Sequence, residues 1–382
     1  MPQPGGRKHI KEFDGLRGLL ALWVFVTHVI ELGPYPATAN YIHANVAVDI
    51  FIILSGFVIF HLLSTGEDYR TFITRRWFRL FPVFAVCFLI ALALYGWLAI
   101  DDEVAFGIDH TKKLMPYLVT HATMLHGAIP EQLLPNSARA ILVPAWSISL
   151  EWQFYLLAPL LFAFAIRPNR KLALLVLGLI SARVLHDAAP RFWGRAVQFD
   201  MSAFLPLRLE FFAVGIGSYG VWRWLSERNC PLEVPPLVYA LLVPVLILIA
   251  KKSPAIALWL WAMLALANVY FGRRATLMRW LSSFLNSESA QFLGKISYPV
   301  YLLHLPALVL VRQIIQLNNA NLRAPAHQFV LVLGGLSLTI IGAWLLHRTI
   351  EEPMIRLGKR ITAGWRLRCT PPIGGQPLPV RT

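Results

Sequence analysis

Charged side chains are scarce in this 382-residue sequence. Asp, Glu, Lys and Arg together make up 14% of it, whereas 57% of the residues are hydrophobic. Because a soluble domain is typically about a quarter charged, this deficit excludes a soluble globular protein and indicates a polytopic membrane protein. The acidic residues are the scarcest, and the formal net charge is +15. The basic residues lie in short clusters between apolar runs. We therefore interpret them as determinants of membrane topology and as contacts with anionic lipid, rather than as a nucleic-acid surface.

Cysteine and a cleavable leader are also lacking. The three cysteines, at positions 87, 230 and 369, are far apart and have no metal-ligand spacing, so they predict neither a disulfide framework nor a zinc site. Apart from the mimic Ala37–Ala39, no A-x-A-like cleavage site follows the first apolar run. We therefore expect that run to be a retained first span.

Ten apolar segments are candidate transmembrane helices, and they predict an all-α fold. They are 16–32, 46–63, 80–99, 145–166, 172–186, 204–224, 236–250, 255–271, 292–315 and 328–347. With the N-terminus inside, most Lys and Arg fall on the inner side, so the positive-inside rule predicts that both termini are cytoplasmic. We expect one membrane domain over residues 1–369 and a disordered tail over 370–382, which is rich in Pro and Gly.

The stretch Phe13–Val29 carries an arginine near one end and a histidine near the other. Arg17 and His28 are eleven residues apart. On a helix this spacing places their side chains within roughly 20° of the same face and separates them by roughly 16 Å along the axis. Asp14 is placed to pair with Arg17. An ionisable residue inside a span is a functional hypothesis by default. The alternative is an arginine that reaches the surface and a hydrogen-bonded interior histidine.

A basic cluster precedes the third span, in RRWFRLFP. Arg75, Arg76 and Arg79 are spaced so that all three could present guanidinium groups on one side of a helix. Forked Arg donors suit phosphate oxygens, and this predicts a site for a phosphorylated cytosolic ligand. The alternative is an ordinary positive-inside anchor.

Two spans carry polar residues at helical spacing. Ser147, Glu151 and Tyr155 share one face of the fourth span, where a carboxylate could orient a histidine or a substrate hydroxyl. In the ninth span, Tyr301 and His304 form a stripe with Ser297, between two prolines. Kinked helices are tolerated at membrane depth where they line a cavity, so these residues are candidates for a substrate channel.

Other polar residues favour structural interpretations. Asp49 lies at the outer end of the second span, where it either caps the helix or faces the channel, and Ser55 and Gly56 allow another backbone to approach closely. Arg208 and Glu210, two apart, cannot face each other, so each is expected to pair with another span. The long outer loop holds three histidines, at 110, 121 and 126, which we interpret as solvated loop residues rather than metal ligands.

The motifs together resemble acyltransferase family 3, the multispan O-acyltransferases of cell-envelope polysaccharides, lipopolysaccharide O-antigen and peptidoglycan. The resemblance runs from about residue 12 to 355. The motifs are Asp14-Gly15-x-Arg17 with His28, VDIFIILSGFVI, Arg76 and Arg79, WSISLEWQFY, ISYPVYLLHLP and Glu352-Pro353. It implies a membrane enzyme of the bacterial inner membrane that takes an acyl group, most often acetyl, from cytosolic acyl-CoA to a glycan hydroxyl. We expect no metal, and no fused esterase-like domain.

The resemblance implies that His28 is the catalytic histidine, with Arg17 as its companion, and that Arg76 and Arg79 bind the nucleotide end of acyl-CoA. His28 would act as general base, with Glu151 or Asp49 as orienter, or would form an acyl-histidine. The predicted catalytic residues are Asp14, Arg17, His28 and Glu151, and the predicted donor-binding residues are Arg75, Arg76 and Arg79. The predicted channel residues are Asp49, Ser147, Tyr155, Tyr301 and His304.

Two other functions fit intramembrane ionisable groups. A secondary transporter would show inverted-repeat pairing of interrupted spans, which is not evident. A non-catalytic acyl-CoA sensor would need Arg76 and Arg79 but not His28.

Overall fold

The computed structural model describes residues 10–33, 43–98, 114–167, 169–193, 197–228, 249, 252–271, 279–318, 321–322 and 324–369. These parts of the chain contain helices and no strands, as predicted. The helices are α1 Lys11–Leu32, α2 Ala44–Leu63, α3 Tyr69–Leu98, α4 Leu114–Ala122, α5 Ala145–Ile166, α6 Arg170–Trp193, α7 Leu209–Arg228, α8 Pro254–Phe271, α9 Arg279–Leu285, α10 Glu288–Leu317, α11 Pro325–Leu346 and α12 Glu352–Cys369. A single π-helical turn, His347–Glu351, joins α11 to α12.

Seven helical stretches in these ranges are long and apolar enough to cross a membrane. They are α1, α2, α3 as far as Leu94, α5, α6 as far as Arg191, α10, and the continuous stretch Pro325–Trp365. They correspond to the first five and the last two predicted spans. α7 and α8, at the sixth and eighth, are respectively less apolar and shorter. The seventh predicted span and the predicted tail lie almost wholly outside the described residues. Ten spans and cytoplasmic termini therefore remain predictions.

Glycines bring α1 and α10 into backbone contact. A Cβ atom added at Gly294 would lie 2.2 Å from the carbonyl oxygen of Asp14, and one at Gly18 would lie 2.7 Å from the backbone nitrogen of Gly294. Small residues permit such close approach between membrane helices. The contact matters because α1 carries Arg17 and His28, whereas α10 carries the predicted channel residues.

A second close contact joins α2 to α7. A Cβ atom added at Gly56 would lie 2.5 Å from the carbonyl oxygen of Phe212, which confirms the packing role predicted from the sequence. Just before α7, Arg208 Nη1 donates to Asp49 Oδ1 over 2.7 Å. On α7 itself, Glu210 pairs with Arg183 of α6 at 3.4 Å. The expectation that both residues find partners on other helices is thereby confirmed.

The outer-loop histidines differ from expectation. His121 and His126 are buried, and their rings stack with centroids 4.0 Å apart, against Phe84 and Phe88 of α3. The interpretation as solvated residues is wrong for these two, because the segment folds back onto α3 and α5, while His110 lies outside the described residues. Burial lowers the pKa of His121 to about 4 and that of His126 well below its usual value.

We expect Gly294→Ala to lower the free energy of unfolding by about 1–3 kcal/mol, because the added methyl group overpacks the α1–α10 contact. The control is Gly178→Ala in α6, where an added Cβ meets nothing within 4 Å. That variant should gain up to about 1 kcal/mol from helix propensity. Chemical or thermal unfolding in detergent measures both. Equal stabilisation of the two variants would contradict the close contact.

We expect the protein to lose stability as the pH falls from about 6.5 towards 4. In this window the unfolded chain binds protons at His121 and His126 that the folded chain excludes. The free energy of unfolding therefore falls by up to about 1.4 kcal/mol for each histidine as the pH drops by one unit. His121→Phe should flatten the dependence of the thermal midpoint on pH. The same slope in His121→Phe and in the wild type would refute the prediction.

Candidate active site in two adjoining cavities

Most of the predicted site residues line two cavities that share a wall. The first, here the arginine cavity, contains about 800 Å³ of empty space, part of it open to solvent. Its polar lining consists of Arg17, Ser55, Arg76, Arg79, Ser147, Glu151, Tyr155, Ser297, Tyr298 and Tyr301. Helices α1, α2, α3, α5 and α10 contribute these residues. The structure thus gathers most of the predicted residues from segments far apart in sequence.

Arginines make up most of the charged lining of the arginine cavity. Its charged lining residues are three arginines and Glu151. Arg17 pairs with Asp14 at 3.7 Å, as its spacing predicts. The guanidinium of Arg76 lies 5.7 Å from the ring centre of Tyr155, and its buried Nε has no hydrogen-bond partner. Guanidinium groups gathered in this way can hold an anion, most readily a phosphate.

Glu151 is held rigidly within this cavity. It accepts a hydrogen bond of 2.8 Å from Ser55 of α2 and a short one from Tyr155, one turn along α5. Ser147, Glu151 and Tyr155 all line the cavity, as their shared helix face predicts. Because its contacts are with hydroxyl groups, Glu151 does not orient His28 in this structure.

Arg75 lies apart from Arg76 and Arg79. Its side chain forms a short ion pair with Glu67 and donates over 2.8 Å to Thr362 of α12, and it is not among the residues that line the arginine cavity. The sequence prediction placed all three arginines on one side of the helix. Helical angle alone does not separate them, because Arg79 is only about 40° from Arg75 around the axis. The contacts with Glu67 and Thr362 draw the Arg75 side chain away, so that it ties α3 to α12.

The second cavity, here the histidine cavity, contains about 1320 Å³ of empty space, also partly open to solvent. Its polar lining consists of His28, Glu31, His43, Asn45, Asn136, Arg139, Trp146 and Tyr301. His28 Nδ1 lies 2.6 Å from a carboxylate oxygen of Glu31. Sequence reasoning missed Glu31, although an acid three residues after a histidine on one helix signals such a pair.

His304 packs against the ring of His28. The two rings stack with centroids 5.1 Å apart. His304 is fully buried and its Nδ1 donates over 2.6 Å to the carbonyl of Tyr301. His304 lines neither cavity, and nor does Asp49, which is bound to Arg208. Two predicted channel residues therefore lie behind the cavity walls.

The two cavities meet at Val48 and Tyr301, which line both. Ser147 of α5 donates a hydrogen bond of 2.8 Å to the hydroxyl oxygen of Tyr301 on α10. Arg17 and His28, although they share one helix, open into different cavities. Within the part of the chain that the structure describes, no three His, Cys, Asp or Glu side chains are grouped as a metal site requires.

Comparison with known sequences gives the family. The profile of the acyltransferase domain, Acyl_transf_3, matches residues 10–348. The chain belongs to acyltransferase family 3. It is 27% identical to the acyltransferase MdmB of Streptomyces mycarofaciens, over 92% of this chain and 93% of that protein.

A second relative of this family member is the O-acetyltransferase OatA of Staphylococcus aureus, at 24% identity over 92% of this chain. The alignment spans 58% of OatA. No solved structure matches the chain. The family and the apolar helices together identify a multi-pass membrane acyltransferase.

Proposed function

We propose that this protein is an O-acyltransferase of the bacterial inner membrane. It moves an acyl group, most often acetyl, from cytosolic acyl-CoA to a hydroxyl of a polysaccharide, an O-antigen or a lipid-linked glycan. The observation that carries the proposal is the pair of adjoining cavities, one rich in arginine and the other containing a histidine–carboxylate pair. A transferase needs two such sites, one for the donor and one for the acceptor, with a passage for the acyl group.

The arginine cavity suits the donor. Acyl-CoA carries phosphates at one end, and Arg76 and Arg79 offer guanidinium groups to them, while Arg17 lines the same cavity. The attraction between a phosphate and a buried arginine is stronger than in water because the local dielectric constant is lower. With the donor phosphates held in the arginine cavity, the thioester reaches towards Tyr301 and the histidine cavity.

The histidine cavity suits the acceptor and its activation. Glu31 accepts a hydrogen bond from Nδ1–H of His28. When the ring is neutral, its Nε2 therefore presents a lone pair. The acceptor hydroxyl gives its proton to Nε2 while its oxygen forms a bond to the thioester carbonyl carbon. The C–S bond then breaks, and the CoA thiolate takes the proton from His28. The alternative order, with His28 Nε2 first attacking the carbonyl, uses the same pair of side chains.

We expect His28→Ala to lower acetyl transfer by at least about 100-fold, because the general base is lost, and Glu31→Gln to cause a smaller loss. The assay follows label from acetyl-CoA into envelope glycan in membrane vesicles, with each variant checked for equal insertion. His186→Ala, which changes a histidine outside both cavities, is the matched control. Transfer at the wild-type rate by His28→Ala would refute the proposed function.

We expect Arg76→Gln and Arg79→Gln each to weaken acetyl-CoA binding about 10-fold or more, because each removes a charge-assisted hydrogen bond. Arg75→Gln should instead lower thermal stability, since it loses the contacts with Glu67 and Thr362. Binding of labelled acetyl-CoA to protein in detergent measures the first effect. Equal loss of affinity in all three variants would favour the arginine cluster predicted from the sequence alone.

A further inference from the structure

The wall between the two cavities is where acyl transfer has to occur. This location rests on the proposed function, in which the donor occupies the arginine cavity and the acceptor the histidine cavity. The thioester carbonyl must then meet the acceptor oxygen where the cavities join. Among the described residues, Val48 and Tyr301 line both, and Val48 has no polar side-chain atom. This places the Tyr301 hydroxyl, with Ser147 beside it, at the point of transfer.

The hydroxyl of Tyr301 has a proton to offer. Ser147 Oγ lies 2.8 Å from the Tyr301 oxygen and 3.3 Å from the carbonyl oxygen of Pro144, and these two acceptors share its one proton. When Ser147 donates to Tyr301, the phenol O–H is left for a ligand. The ring is also fixed in place. It packs against Phe51, with centroids 5.9 Å apart, and against His304, at 6.0 Å. His304 in turn stacks on His28, so the candidate base and the phenol belong to one packed group.

We propose that Tyr301 is a catalytic residue whose O–H donates a hydrogen bond to the carbonyl oxygen of the thioester during transfer. As the acceptor oxygen bonds to the carbonyl carbon, the C=O electron pair moves onto the oxygen, and this oxyanion accepts the hydrogen bond from Tyr301. The pair returns when the C=O bond re-forms and the C–S bond breaks. Tyr301 keeps its proton throughout, and His28 carries the acceptor proton to the thiolate. A fixed donor at a developing oxyanion lowers the barrier without reorganising.

A structural role makes a different prediction. If Tyr301 served only to hold α10 against α5, its hydroxyl would act through the bond with Ser147. Removing either partner would then break the same link and have the same effect. A donor to the oxyanion has an unequal effect, because Ser147→Ala leaves the Tyr301 O–H in place, whereas Tyr301→Phe removes it.

The test compares Tyr301→Phe with Ser147→Ala in the full-length protein in vesicles that contain envelope glycan, with labelled acetyl-CoA as donor. We expect Tyr301→Phe to lower the rate at saturating acetyl-CoA by about 100-fold, the usual effect of losing one oxyanion donor. Its affinity for acetyl-CoA should stay within about twofold of the wild type, since the phosphates are held elsewhere, and this retained binding also shows that the variant is folded. Ser147→Ala should lower the same rate by less than about 10-fold.

The matched control is Tyr69→Phe. Its hydroxyl also joins two helices, donating over 3.1 Å to the carbonyl of Leu156, but Tyr69 lines neither cavity, so its rate should remain that of the wild type. Equal losses in Tyr301→Phe and Ser147→Ala would overturn the assignment in favour of a structural role. A wild-type rate in Tyr301→Phe, with His28→Ala inactive, would overturn it while leaving the proposed function intact. Activity in His28→Ala would count against the proposed function itself.

Discussion

The backbone contact between α1 and α10 is the constraint on which the candidate site depends. Gly18 and Gly294 leave no room for a Cβ atom between the two helices, and van der Waals packing of this kind replaces the hydrophobic drive that is absent within a bilayer. The contact sets His28 against His304 and brings Arg17 into the cavity that Tyr301 also lines. A small shift of α10 would alter both cavities together, because one helix supplies the wall between them.

Much of the architecture follows from the sequence. Apolar runs predicted the seven described stretches that are long and apolar enough to cross a membrane. Helical spacing predicted the shared face of Ser147, Glu151 and Tyr155. The Asp14–Arg17 pair was likewise local. These predictions succeed because period and length are properties of one helix. Membership of acyltransferase family 3 was also readable, since its motifs occur in register along nearly the whole chain.

What the sequence did not predict depends on which side chains meet between helices. Spacing could not tell that Asp49 would be taken by Arg208 or that Glu151 would be held by Ser55. It could not separate Arg75 from Arg76 without the position of α12, which supplies Thr362. His121 and His126 appeared solvated because their burial comes from a loop that packs on α3 and α5. Such contacts arise from tertiary packing and leave no periodic signal.

The spacing of Arg17 and His28 on α1 gives the helix the properties of a molecular ruler. A continuous α-helix is stiff, and eleven residues fix a rise of roughly 16 Å between the two groups. On the proposed function, the donor cavity at Arg17 and the site of transfer near His28 are then a set distance apart. A donor with a long arm between phosphate and acyl group can span that distance, whereas a compact acyl phosphate cannot. The geometry of α1 would thus select donors by length, whichever acyl group they carry.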